Sequence, residues 1–296
     1  MIDAASPSVA PPPPRPEYIH EGPLNQDFGV VEEPLSLWER LYDNGGFRKT
    51  LLLIAIAAIW EIYARQLNNP LLVPTFFETV RAFVSAIASG ELPDKAVNSV
   101  RLLLQGYALG LALALAFTML AMMTRIGNDL LETLTSMFNP LPSIALLPLA
   151  LIWFGLGDNS IIFVLVHAVL WAVALNAHSG FRSVSNTLRM VGRNYGLAGT
   201  RFVFKILIPA AFPSILTGLK IGWAFAWRTL IAAELVFGAS SGKGGLGWFI
   251  YESKNMLDIP SVFAGLFSVI LIGLVVENLI FRNLEIATVR KWGMQS

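Results

Sequence analysis

Cysteine is absent from the 296-residue sequence, which excludes disulfide bonds, thiolate catalysis and cysteine metal sites. The three histidines, His20, His167 and His178, lack the spacing of a zinc motif, so no metal site is expected. No Gly-rich phosphate loop precedes a Lys-Ser or Lys-Thr pair, since the Gly-Lys of residues 241–247 lacks the spacing and a preceding buried strand. The chain itself is therefore expected to bind neither ATP nor another cofactor.

Charge is also scarce. Only 14% of the residues are charged, 55% are hydrophobic, and the mean hydropathy is +0.61, values that exclude an ordinary soluble domain. Apolar stretches near the ~20 residues that a bilayer requires predict an all-α membrane protein with six spans. The predicted spans are residues 50–63, 100–123, 131–154, 161–177, 215–237 and 262–281.

The two ends differ from the apolar middle. The Pro-rich start is expected to be disordered or polyproline-like, and it lacks a signal-peptide pattern. Residues 34–42 fit a short interfacial helix or a plain tail, and both alternatives stay open. We therefore predict a cytoplasmic tail at 1–46, a transmembrane domain at 47–285 and a second cytoplasmic tail at 286–296.

Orientation follows from the basic residues. Arg48 and Lys49 directly precede the first span, which predicts a cytoplasmic N-terminus. In that topology eleven Lys or Arg residues lie on the inner side near the spans and six on the outer side. Residues 70–90 are predicted to form an amphipathic helix that lies outside the bilayer. These features predict a multi-pass membrane protein, surrounded by lipid, with both termini cytoplasmic.

The loop at residues 181–209 is basic and carries no acidic residue. Its periodicity predicts two short amphipathic helices broken at Gly196, with Leu188, Val191 and Tyr195 on one face. Pro209 and Pro213 are expected to close the loop. Such a loop on the cytoplasmic side would offer a handle to a soluble partner.

A family resemblance begins in this loop. The spacing of Gly196 to Pro209, followed by PAAFPSILTGLK, resembles the cytoplasmic loop of permease subunits of bacterial ABC importers. The Glu-Ala-Ala of that family is replaced by Met190, Val191 and Gly192, so a salt bridge made by its acidic residue does not carry over. The stretch NPLPSIALLPLALIWFGLGDNS and the motif GLKIGWAFAWRTLIAAE resemble the nitrate, sulfonate, taurine and bicarbonate branch. The resemblance covers residues 71–292.

The resemblance implies a type I ABC importer permease with six transmembrane helices in a bacterial inner (plasma) membrane. It implies partner ATPase subunits that bind ATP and Mg, a second permease copy in a homodimer, and a periplasmic solute-binding protein; no nucleic acid partner is expected. Residues expected to couple to the ATPase are Arg189, Arg193, Asn194, Tyr195, Gly196, Leu197, Ala198, Gly199, Arg201 and Pro209.

Two other classes of protein remain open. A secondary transporter or channel driven by an ion gradient would need proton relays in several spans and inverted internal symmetry. Few such groups and no clear repeat are present in the sequence. A membrane-embedded enzyme would need a clustered nucleophile, base or metal set, for which His167 and His178 alone are a thin basis.

Polar residues and prolines inside the spans indicate the substrate path. Arg228 is predicted to stabilise an anionic substrate, or alternatively to form a salt bridge with Glu277 or Glu234. Prolines in the third span fit a cavity lining or a static kink, and the histidines fit a polar lining or interhelical hydrogen bonds. The path candidates are Pro140, Pro142, Pro148, His167, Trp171, Trp223, Trp227, Arg228 and Glu234.

Two further features concern packing and the outer side. Small residues at four-residue spacing, Gly106 to Thr118 and Gly218 to Ala226, predict close helix contacts. The Gly-rich segment 238–260 is expected to be flexible. It fits a contact for a binding protein, a plain connection, or a re-entrant gate.

Overall fold

The structure is a computed structural model that describes residues 42–237 and 244–291. The Pro-rich start, the proposed interfacial helix except for Tyr42, and residues 238–243 of the outer segment lie outside the described residues. The chain divides into two compact units, Met1–Ala55 and Ile56–Ser296. In the described part of the first unit, Arg48 donates to the carbonyl of Tyr42 at 2.7 Å.

Helices make up nearly all of the described backbone, and the described residues contain no strand. The helices are α1 Gly45–Leu67, α2 Phe76–Ala88, α3 Glu91–Met123, α4 Arg125–Phe138, α5 Leu147–Phe154, α6 Asp158–Ser183, α7 Asn186–Asn194, α8 Gly199–Phe202, α9 Ile208–Phe237, α10 Leu246–Asn255, α11 Ile259–Val275 and α12 Arg282–Glu285. A 3₁₀ turn at Ser143–Leu146 leads into α5, and π turns at Val203–Leu207, Val276–Phe281 and Ile286–Arg290 continue their neighbouring helices.

Five helical runs in the described chain are long and apolar enough to cross a membrane. They are Gly45–Leu67, Glu91–Met123, Asp158–Ser183, Gly199–Val236 and Ile259–Arg290. A sixth crossing arises if Arg125–Phe138 and Ser143–Phe154, which are bent by 90°, form one broken span. The prediction of an all-α multi-pass membrane protein is confirmed.

The predicted third span, residues 131–154, falls on this bent pair, and its prolines were expected to bend it. The chain breaks at residues 139–142, between α4 and the turn that leads into α5. Pro140 and Pro142 lie in this break, and neither can donate a backbone hydrogen bond to continue the helix. The break therefore places backbone without helical pairing at the corner of the bent pair.

Helix α6 packs between α3 and α9 through small residues. A Cβ atom added to Gly106 of α3 would lie 2.5 Å from the Leu165 Cβ atom. On the other side, a Cβ atom on Gly218 of α9 would lie 2.7 Å from the Asn176 Cβ atom. The predicted close contacts are confirmed, and they fix α6 as the central helix of the second unit.

The run Gly199–Val236 has 38 residues. At 1.5 Å per residue it is about 57 Å long, well beyond the ~30 Å of hydrocarbon in a bilayer. Pro209 and Pro213 lie inside this run, so the prediction that they close the preceding loop is wrong. The amide of Ile208 bonds to the Val203 carbonyl instead, in the π turn that precedes Pro209.

Candidate functional site

The first candidate is the elbow, defined as residues 185–207 between α6 and α9. Its first helix, α7, is capped by Ser185, whose side chain accepts a hydrogen bond from the Leu188 amide at 3.3 Å. The Arg189 guanidinium donates to the carbonyls of Phe181 at 2.7 Å and Val184 at 3.2 Å. Arg189, predicted to couple to a partner, thus binds the end of α6 and fixes the elbow to it.

Gly196 reverses the chain after α7. Its φ is +70°, its amide bonds to the Arg193 carbonyl at 2.9 Å, and the Leu197 amide bonds to the Gly192 carbonyl at 3.1 Å. This pair of bonds is a Schellman motif with glycine at the left-handed position. The predicted break at Gly196 is confirmed.

The turn brings the two short helices of the elbow together at Gly192. A Cβ atom on this residue would lie 2.8 Å from Phe202 and 3.0 Å from Ile206. Leu207 joins Val184 and Ala211 in a small buried core beneath them. The position that carries alanine in the resembling family needs glycine here, because the second helix passes so close.

Apolar and basic side chains cover the outward side of the elbow. Tyr195 is 81% exposed, Phe204 65% and Met190 57%. The elbow surface consists of Leu188, Met190, Val191, Arg193, Tyr195, Arg201, Phe204 and Lys205, all of them exposed. Of the other predicted coupling residues, Asn194, Gly196, Ala198 and Gly199 are exposed, whereas Leu197 and Pro209 are half-buried.

The second candidate is a cavity of about 330 Å³ at the break between α4 and α5. Its wall also includes α6 and α9. The lining residues are Phe138, Asn139, Pro140, Leu141, Pro142, Ser143, Ile144, His167, Ala168, Trp171, Phe225, Arg228, Thr229 and Ala232. The structure thus brings together five predicted path residues from three separate segments: Pro140, Pro142, His167, Trp171 and Arg228.

Aromatic rings and hydrogen-bonding groups share this lining. The rings of Phe138 and Trp171 stack with centroids 5.3 Å apart and planes 14° apart. The Nδ1 atom of His167 lies 3.2 Å from the Ser143 hydroxyl. This contact fits the expected interhelical hydrogen bond of a histidine, and His167 lines the cavity as well.

Arg228 is exposed on the cavity wall, with its guanidinium carbon 6.0 Å from the Phe225 ring centroid. Neither acid proposed as its partner is paired with it. Glu277 lies 3.9 Å from Lys220, and Glu234 accepts hydrogen bonds from Ser99 and the Gly247 amide. Within residues 42–237 and 244–291 Arg228 forms no ion pair with either acid.

The other four path candidates lie away from this cavity. Pro148 is an exposed residue in the first turn of α5. Trp223 packs between Tyr107 and Phe281, at 5.5 and 6.3 Å, and Trp227 donates to the Val269 carbonyl. Glu234 is 2% exposed.

Glu234 anchors helix α10. Its carboxylate accepts from the Gly247 amide at 2.8 Å, while the Ser99 hydroxyl accepts from the Leu246 amide at 2.8 Å. The predicted flexibility of segment 238–260 is wrong from Leu246 to Asn255, which form a helix with five buried residues. Its first amides are held by side chains of two other helices.

A smaller cavity of about 250 Å³ adjoins the first, and both are lined by Asn139 and Pro140. Its lining includes Glu132, which forms an ion pair with Arg182, and His178, whose Nε2 atom is 3.9 Å from Glu132. Sequence reasoning missed Glu132 and Asn139. For Glu132, the sequence signal was an acidic residue at the second position of the predicted span 131–154.

The sequence is similar to those of several known membrane transport proteins. Residues 106–284 match the family described as "Binding-protein-dependent transport system inner membrane component". A Methanocaldococcus jannaschii protein named as an ABC transporter permease is 33% identical over 74% of this chain and 83% of its own. A Bacillus subtilis protein named as an aliphatic sulfonates transport permease is 30% identical, over 79% and 84%.

A third relative is the nitrate import permease protein of Synechocystis sp. It is 26% identical over 84% of this chain and 90% of its own. The family match covers more than half of the sequence and includes the elbow and all the residues that line the cavity. The chain belongs to the family of binding-protein-dependent transport system inner membrane components and is an ABC importer permease of the nitrate, sulfonate and taurine branch.

Proposed function

We propose that this chain is the membrane-spanning subunit of an ATP-driven importer for a small anion or organic oxyanion. Support comes from the elbow surface, whose exposed apolar and basic side chains lie on a backbone fixed by Arg189 and Gly196. Exposed aromatic residues flanked by basic ones are typical of docking surfaces. The occupant we propose is an ATPase subunit, which would bind ATP and Mg.

The elbow is rigidly connected to two spans. Arg189 bonds to the end of α6, and the second short helix continues through the π turn into α9. Motion of a partner on the elbow surface would therefore move α6 and α9, the two helices that carry His167 and Arg228 of the cavity. We propose that this connection couples ATPase motion to alternating access.

The cavity supports the choice of an anion. Arg228 offers a planar guanidinium without an ion-pair partner in the described chain. The relatives named for sulfonates and nitrate agree with that chemistry. A second permease copy would complete the path, a periplasmic solute-binding protein would deliver the substrate, and both termini would be cytoplasmic.

The test is co-purification of the ATPase with the tagged full-length chain, together with uptake of a labelled alkanesulfonate and of nitrate. Arg193→Glu combined with Tyr195→Ala should remove the ATPase and abolish uptake while membrane insertion is retained. Lys254→Glu, an exposed basic residue at the end of α10, is the matched control and should retain ATPase binding. Normal ATPase binding and uptake in the elbow variant would contradict the proposal.

A further inference from the structure

The cavity between α4, α6 and α9 has a set of hydrogen-bond donors without partners. In the described chain, the buried atoms Nε2 of His167 and Nε1 of Trp171 have no hydrogen-bond partner. When the Ser143 hydroxyl donates to Nδ1 of His167, the ring proton lies on Nε2, so Nε2 is a donor. The indole Nε1 of Trp171 is always a donor.

Arg228 adds further donors to the same wall. Among the fourteen described residues that line the cavity, none is acidic. A ligand that accepts hydrogen bonds and carries negative charge would satisfy the exposed Arg228 guanidinium, whereas the ring nitrogens of His167 and Trp171 are buried in the wall. A cationic ligand would find no counter-ion in this lining.

The volume of the cavity and its aromatic lining restrict the expected ligand further, to an organic anion. An ion such as nitrate takes up on the order of two water volumes, about 60 Å³. The cavity holds about 330 Å³, within the range from about 300 Å³ in which organic ligands bind. Phe138 and Trp171 form a stacked pair beside the donors, and Phe225 and Ile144 add apolar surface.

We infer that this cavity is itself a selective binding site for an organic oxyanion, a sulfonate or carboxylate with a flat apolar body. Arg228 binds the oxyanion group, and the Phe138–Trp171 pair contacts the body. The inference rests on the proposed role in oxyanion import. It adds that the membrane subunit selects among oxyanions, whatever a binding protein delivers.

Equilibrium dialysis of the full-length chain in lipid nanodiscs tests this site without any partner. The probes are benzenesulfonate, its neutral analogue benzenesulfonamide, methanesulfonate and nitrate. Benzenesulfonate should bind at least about tenfold more tightly than the other three, because it alone supplies both charge and a flat body. Equal affinity for nitrate or for benzenesulfonamide, or no binding of any probe, overturns the inference.

Variants separate the two parts of the site. Arg228→Gln should weaken benzenesulfonate binding about tenfold or more, and Arg228→Lys should recover part of it, since lysine keeps the charge without the planar fork. Phe138→Leu should reduce the preference for benzenesulfonate over methanesulfonate. Arg101→Gln, exposed on α3 and absent from the lining, should leave every affinity unchanged. An Arg228→Gln variant with unchanged binding contradicts the assignment.

Failure of this inference can be told apart from failure of the proposed function. ATP-dependent uptake that is lost in the elbow variant, combined with equal binding of nitrate and benzenesulfonate, would overturn the selective site and leave the importer function standing. Uptake that is independent of ATP and of the elbow would overturn the importer function, whatever the cavity binds.

Discussion

The Ser99 hydroxyl lies 2.8 and 2.9 Å from the two carboxylate oxygens of Glu234, and the two residues are 135 positions apart in the chain. Both are buried, and together they receive the first amides of α10. A Cβ atom on Gly245 would collide with both side chains, so the chain enters α10 through a glycine that leaves them room. This contact joins α3, α9 and α10.

Replacing Ser99 with alanine should destabilise the protein. The change leaves the Leu246 amide without its acceptor and removes a donor to the buried carboxylate, at a cost of about 1–3 kcal/mol. The melting temperature of the purified chain measures this. Ser268→Ala is the matched control, because among the described residues that buried hydroxyl bonds to Ala264 within its own helix. Equal effects of the two variants would contradict the anchoring role.

Gly106→Ala should separate α3 from α6. The added methyl group would lie 2.5 Å from Leu165 Cβ and 2.9 Å from Leu165 Cδ1, so the helix backbones must move apart, at a cost of about 1–3 kcal/mol. Gly273→Ala is the control for replacing a helical glycine with alanine where there is room, since the added methyl group would meet only Trp227, at 3.7 Å. Thermal unfolding in one detergent should therefore show a loss at position 106 and no loss at position 273.

The sequence predicted the crossings well because length and apolarity decide which segments enter a bilayer. It also predicted the turn at Gly196, since a helix that ends at a left-handed position favours glycine there. Small residues at 106 and 218 likewise indicated close packing before any partner helix was known. These features are local, and each depends on a few neighbouring residues.

Features that depend on distant partners were missed. Helix α10 appeared flexible because the residues just before it are rich in glycine, whereas its first amides are held by Glu234 and Ser99 on other helices. Hydropathy could not show the 90° break near Pro140, because both halves of that span are apolar. The sequence predicted separate residues of the cavity lining but not that they meet. Asn139 lies in the break between α4 and α5, which brings it into that lining.

Gly192→Ala should disturb the elbow without unfolding the membrane region. The new methyl group would press on Phe202 at 2.8 Å and Ile206 at 3.0 Å, so the two short helices must part. We expect reduced uptake and weaker ATPase binding at normal expression. Phe202→Leu, in the same chain, removes the closer contact and should restore part of both. A double variant no better than Gly192→Ala would show that this contact is not the cause.

Gly196→Ala should lower uptake, because a non-glycine residue at φ +70° costs about 1 kcal/mol or more and shifts the turn that carries Tyr195. Gly90 gives a matched control. Its φ is +81°, and like Gly196 it has no atom within 4 Å of an added Cβ, but it lies between α2 and α3. Gly90→Ala carries a similar strain and should retain ATPase binding. If both variants lose uptake equally, backbone strain alone explains the loss, and the elbow turn has no special role in coupling.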